Sequence, residues 1–161
     1  MMQSPKVLWA VIAVLVVVLL GFTVKFVVLG STTSGTAEDE RTVIMLNGHE
    51  RAATLLEMRS LLEATQAVIE GLANDDMAQV AQAASDVGMQ ARGTMDMRLM
   101  AKLPIGFKKL GMGTHKAFDD IAAMAIAGVP AMDIQRKLAD TMNNCIACHA
   151  SYQMPSMKPQ L

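Results

Sequence analysis

The sequence predicts an all-α protein, an antiparallel four-helix bundle preceded by one N-terminal transmembrane helix. Three observations predict it. Val7 to Val24 is an uncharged apolar run bounded by Lys6 and Lys25, and Phe26-Val27-Val28-Leu29 extends it. After residue 47, apolar residues recur at spacings of three and four in four successive segments, the pattern of helices that bury one stripe. Ala, Leu, Met, Gln and Glu dominate outside the N-terminal run, a composition that favours helix over strand. The chain divides into an anchor (1–29), a linker (30–47) and a bundle domain (48–161).

A helix over Val7–Leu29 would be about 34 Å long at 1.5 Å per residue, enough to cross a bilayer with some tilt. Lys25 can snorkel to the interface, and Trp9 suits an interfacial position. A secretory leader is the competing reading. Its apolar region is normally shorter, and Gly35-Thr36-Ala37 is a poor cleavage site, so an uncleaved anchor is expected. Next, Gly30-Ser31-Thr32-Thr33-Ser34-Gly35-Thr36 reads as a flexible polar linker, and Glu38-Asp39-Glu40-Arg41 as a solvated charged stretch. Val43-Ile44-Met45-Leu46 is an apolar tetrad suited to pack on the domain or near the membrane.

Asn47 with Glu50 three residues on is a capping-box pattern, and the first bundle helix should run from Gly48 to Leu72. Its expected inward seam is Leu55, Met58, Leu62, Thr65, Ile69 and Leu72, with Leu61 and Val68 widening the stripe. Asn74 and Asp75 end it and can cap a second helix over Asp75–Ala91, with Met77, Val80, Ala84 and Val87 inward and Gly88 and Gly93 weakening its end. Thr94–Gly113 is expected to be an irregular connection with room for a short helix; Met95, Met97, Leu99 and Met100 show no clean period, and Leu103-Pro104-Ile105-Gly106 is a breaker. Thr114 should cap a third helix over His115–Ala127, with Phe118, Ile121 and Ala125 inward and Gly128 as its stop. Pro130 suits the first turn of a fourth helix running to Tyr152, with Asp133 near its positive end. Its seam is Ile134, Leu138, Thr141, Cys145, Cys148 and Tyr152. Residues from Ser151 should fray, and Pro155 and Pro159 should end the order.

The chemistry lies in that last helix. Cys145-Ile146-Ala147-Cys148-His149 contains the only two cysteines of the chain, and it reads as a covalent c-type haem attachment site. On a helix, residues i, i+3 and i+4 share a face, so both thiols and the imidazole can meet one flat ligand. The thiols would become thioethers to the haem vinyl groups, and His149 would be the proximal iron ligand. A redox dithiol and half of a zinc site are the other readings of such a pair. Structural zinc needs more Cys or His nearby, whereas His49 and His115 are distant in sequence. A thioredoxin-like motif follows a strand, and no strand is expected here.

Four helices with Asn144-Cys145-Ile146-Ala147-Cys148-His149-Ala150-Ser151-Tyr152 near the end of the last resemble the cytochrome c prime family over residues 48–153. The resemblance implies one covalent haem c, an exported haem domain in the bacterial periplasm with the anchor in the inner membrane, and a homodimer. It also implies that the residue opposite the proximal histidine decides the chemistry. A first-helix methionine gives a low-spin electron carrier; an apolar blocking residue gives five-coordinate iron that binds NO or CO. Met58 is the candidate distal ligand, against its alternative as a core methionine. Leu55, one turn earlier, is the candidate blocker. His49 is a weaker ligand candidate, and His115 reads as a surface or packing residue. Phe118 reads as core, or as packing on the porphyrin. Arg51 and Arg59 are candidates to pair with haem propionates.

The remaining composition excludes more than it assigns. Aromatic residues make up 4 per cent of the chain, low for an enzyme built around a large rigid pocket. No nucleophile–base constellation or phosphate loop stands out, and adjacent Asp119 and Asp120 look like a solvated helix face, so an electron carrier rather than an enzyme is expected. The part beyond the anchor holds 12 Lys and Arg (all 14 except Lys6 and Lys25) against all 15 Asp and Glu, without the basic patch that nucleic acid needs. Its expected partners are redox proteins of the periplasm or inner membrane. A haem subunit of a larger membrane complex is a further reading.

Overall fold

A computed structural model describes residues 5–91 and 96–156. Gly93, Met95 and Pro159, singled out above, lie outside the described residues. The protein is mostly helical, as the apolar spacings predicted, and also carries a small three-stranded sheet that they did not.

α1 (Pro5–Thr23) runs without a break into a π-helical turn over Val24–Leu29. Lys6–Leu29 is long and apolar enough to cross a membrane, and none of the window is buried against the rest of the chain. Gly30 ends the turn at φ 66°, where its amide donates to the Lys25 carbonyl at 3.0 Å. That left-handed conformation favours glycine, and a Cβ there would also collide with the Lys102 carbonyl.

The expected flexible linker is a fastened strap. Strand β1 (Thr32–Thr33) pairs antiparallel with β2 (Thr42–Ile44), and β2 pairs in parallel with β3 (Tyr152–Gln153). The Ser31 amide donates to the Lys102 carbonyl at 2.7 Å, and the Met45 amide to the Ser31 carbonyl at 2.8 Å. Ile44 and Leu46 are buried, so the apolar tetrad packs back on the domain. Residues 152–154, expected to fray, are held by the β2 pairing and by Arg51, whose Nε donates to the Met154 carbonyl at 2.8 Å.

α2 (Gly48–Ala73) starts at the predicted capping box. Asn47 Oδ1 accepts from the Glu50 amide and Glu50 Oε2 from the Asn47 amide, both at 2.9 Å. Its buried face differs from the expected seam. Val68 is buried, as expected of the widened stripe, and Leu61 packs on the same core, but Thr54, Ala64 and Gly71 are buried with Val68, while Leu62 is 70% exposed and Ile69 52%. Small residues explain the rotation: a Cβ at Gly71 would press on the Val80 side chain, so α2 meets its neighbour most closely along the Ala64–Gly71 line. α3 (Met77–Ser85) is shorter than predicted, and Asp76 rather than Asp75 caps it, by accepting from the Gln79 amide at 2.9 Å.

The expected irregular connection holds α4 (Met97–Lys102) and the first nine residues of α5 (Ile105–Ile126). Pro104 does break the helix, but it also begins the next one as its N-cap. Gly106, Gly111 and Gly113 argued against helix, each by about 1 kcal/mol. Tertiary packing overrides them; a Cβ at Gly106 would strike the Tyr152 hydroxyl, so glycine there admits the ring. Thr114 is therefore not a cap; it is buried within α5 and donates to the Leu110 carbonyl at 2.9 Å. His115 is also buried rather than at a helix start. Its Nδ1–H donates to the Val87 carbonyl at 2.7 Å and its Nε2 lies 3.0 Å from Glu57 Oε1, so it ties α5 to α3's end and to α2. Asp119 and Asp120 are partnered rather than simply solvated: Asp119 accepts from the Met89 amide at 3.1 Å and Asp120 from Lys137 at 2.7 Å.

α6 (Ala131–Ser151) packs on α5, α5 on α3 and α3 on α2, while α2 and α6 barely touch. The main core holds Val68, Val80, Phe118, Ile121, Ile134 and Leu138. A second core of Ile44, Leu46, Leu103 and Phe107 sits where the strap, α4 and α5 meet, with Met58, Cys148 and Tyr152 packed against it.

Candidate functional site

The slight contact between α2 and α6 leaves a cleft of about 330 Å³ at the second core. Leu55 and Met58 of α2 line one side; Cys148, His149 and Tyr152 line the other. Phe107 of α5, Arg41 of the strap and residues 153–155 of the tail complete it. Phe107 and Tyr152 meet edge to face with centroids 5.6 Å apart and planes at 78°, the favoured aromatic geometry. Each element arrives for a local reason. The Asn47 cap sets where α2 begins, the Pro104 break aims α5, and the Tyr152 amide closes α6 on the Cys148 carbonyl before the chain turns into β3.

Of the residues singled out in the sequence, Met58, Leu55, Cys148 and His149 come together here. Cys145 lies one turn earlier on α6, is exposed, and stands outside the cleft lining. His49 is exposed in the first turn of α2, away from the cleft, and Phe118 belongs to the main core. Arg59 is exposed and Arg51 is spent on the tail; neither lines the cleft.

Among the lining residues that the sequence reading did not assign to the site (Phe107, Gln153, Met154 and Arg41), the charged one is Arg41. Its guanidinium makes two bonds to Asp39, at 2.9 and 2.6 Å, and its Nη1 donates to the His149 carbonyl at 3.3 Å. Gln153 Nε2 donates to the Arg41 carbonyl at 3.1 Å. In sequence, Glu38–Arg41 is an ordinary charged run, and only the β2–β3 pairing carries Arg41 to the helix end. The Arg41 hydrogen bond, followed by weaker effects, holds the Asp39 carboxyl below its usual range.

The thiols have the electrostatics of a poor dithiol nucleophile. Burial pushes Cys148 up to about 11, and the neighbouring Cys145 adds to the rise. Partial burial also raises Cys145. Redox Cys-x-x-Cys pairs lower a thiol instead. In folded protein made without haem, Cys148 should alkylate at about pH 8 on the order of a hundredfold more slowly than an ordinary thiol. The rate should climb as pH approaches 11. Rapid alkylation at pH 8 would restore the dithiol reading. Among the described residues, no group of three or more His, Cys, Asp or Glu could hold a metal ion, so the pair lacks the further ligands of structural zinc.

The residues fit a haem in their donor chemistry. Two unpaired thiols and an imidazole sit at the i, i+3, i+4 positions of one helix, beside a cleft lined by Leu, Met and aromatic side chains, with a thioether across it. No protein-family model, no curated protein and no solved structure matches this chain.

Proposed function

We propose that this chain is a membrane-anchored c-type cytochrome that carries electrons through one covalently bound haem. In this reading α2, α3, α5 and α6 form an antiparallel four-helix bundle, Lys6–Leu29 stays uncleaved as a single-pass anchor, and the haem domain stands on the exported face of a bacterial inner membrane. The observation that carries it is the convergence of Met58 from α2 with Cys148 and His149 from α6 on one apolar cleft.

The roles follow from the chemistry of each group. Cys145 and Cys148 hold the haem as thioethers, His149 gives iron its proximal nitrogen, and Met58 gives it a distal sulfur. When bound, the haem supplies a one-electron couple. Phe107 and Tyr152 give the cleft a packed aromatic wall, and Arg41, itself paired with Asp39, holds the end of α6 by the His149 carbonyl. A thioether opposite histidine raises the potential, which suits a carrier.

The experiment is retention of haem on the denatured chain, read by haem staining after electrophoresis, from cells able to install it. Retention is expected, with complete loss when Cys145→Ala and Cys148→Ala are combined. An unstained wild-type chain would sink the reading. The second reading, a five-coordinate haem protein that binds NO or CO, draws support from Leu55, which lines the same cleft one turn before Met58. Rapid, tight CO binding to the reduced wild-type protein would select it.

A further inference from the structure

The seam between the membrane helix and the domain bears on orientation. A span of 24 residues, Lys6–Leu29, is about 36 Å long at 1.5 Å per residue, against a hydrocarbon core of about 30 Å. With Lys25 at the interface, the last turn, Phe26–Leu29, reaches the level of the lipid headgroups. The domain touches that turn directly. Lys108 Nζ lies 3.4 Å from the Phe26 carbonyl and 3.3 Å from that of Val27, donating to helix-end carbonyls where a cation is favoured. Lys25 Nζ donates to the Gly30 carbonyl at 3.2 Å, and one residue on, Ser31 is bonded to Lys102. No free tether separates bilayer from domain. Lys108 follows Phe107 in α5, and Phe107 lines the cleft.

We propose that the domain is seated on the lipid headgroup surface in one fixed orientation, clamped by Gly30, Ser31, Lys102 and Lys108, with the Phe107 side of the cleft toward the bilayer. A free tether would let the domain tumble, whereas the clamp presents one edge of the cleft to every molecule sharing the membrane plane. Basic groups suit the placement: Lys25 and Lys108 both lie at this turn, and exposed Lys109 follows Lys108 in α5. Burial lowers the Lys108 ammonium from its ordinary range, as expected of a cation pressed between two parts of the chain.

The proposal rests on the uncleaved anchor of the proposed function, which the intact mass of the purified chain checks separately, and on the haem only for its readout. Full-length protein is reconstituted in phosphatidylglycerol-containing bilayers stacked on flat sheets, and the haem electron paramagnetic resonance signal is recorded as the sheets are tilted. The signal should vary strongly with tilt, as for a single orientation. A Gly/Ser stretch of about six residues inserted between Leu29 and Gly30 should flatten that dependence while leaving the optical spectrum unchanged. A wild-type signal equal at all tilts would overturn the clamp, and so would an insertion variant as ordered as wild type. Haem staining separates failure of the cofactor assignment from failure of the clamp. In a chain without haem, the same tilt dependence is read from a bifunctional nitroxide bridging Cys145 and Cys148, with the same two outcomes deciding.

Discussion

Met58→Ala should convert the haem from a six-coordinate, low-spin absorption spectrum to a five-coordinate, high-spin one, and should open the reduced protein to CO. The reasoning is geometric. Met58 is half-buried, packs on the second core beside Cys148, and lines the same cleft as His149 from the facing helix. Alanine cannot replace the thioether; among the described residues that line the cleft, His149 is the one His or Lys, and the other thioether, Met154, belongs to the tail whose backbone Arg51 holds. The low-spin bands should vanish entirely, and the potential should fall with loss of the sulfur ligand. Truncating a half-buried methionine should also cost about 1–2 kcal/mol of stability, below the range for fully buried sites. Leu55→Ala is the control: it widens the cleft and should leave the low-spin spectrum in place. A high-spin wild-type protein would remove Met58 from the iron and move the chain to the gas-binding reading.

The second large effect is on stability. Lys102→Met should destabilise the domain by about 2–3 kcal/mol at neutral pH, between the cost for exposed pairs and that for fully buried ones. Lys102 Nζ lies 2.6 and 2.8 Å from the two Glu50 oxygens, and Glu50 is buried while it caps α2. The Lys102 carbonyl also holds the strap through Ser31. Burial pushes the Glu50 carboxyl up, but Lys102 and the Asn47 amide together outweigh it and leave the group below its ordinary value. A lowered carboxyl contributes stability above its unfolded pKa and loses it as pH falls through the folded one. Without Lys102, burial is opposed only by the Asn47 amide. The difference between wild type and variant should therefore be largest near pH 7 and shrink on acidification towards pH 3. Thermal melts at both pH values test this, and a gap that stays constant or widens in acid would refute it.

Legibility followed the range of the signal. The start of α2 was readable because Asn47 and Glu50 bond to each other's amides within one turn. The face of α2 was not, because the large residues of the expected seam lost to the small ones. Contact with Val80 required Gly71, and sequence alone does not say which helix passes closest. The start of α5 was missed because three glycines weigh against helix locally, while the reason for one of them, the Tyr152 ring, lies forty-six residues away. Cys145, Cys148 and His149 were named from their spacing, and Met58 and Leu55 from the family resemblance and their place on the first bundle helix; of these five, Cys145 alone stands outside the cleft. Arg41 was passed over, since only the sheet brings it to the cleft.

The amino-acid sequence by itself determined the membrane-length helix, the helical character of the rest, the capping of α2 and the thiol–thiol–imidazole spacing on α6. Each of these depends on residues within a few positions of one another. The tertiary structure alone decided the rotation of α2, the docking of the strap, the burial of His115 and the meeting of Met58 with Cys148. Those outcomes turn on close approach between distant residues, where the presence or absence of one Cβ selects which surfaces can touch.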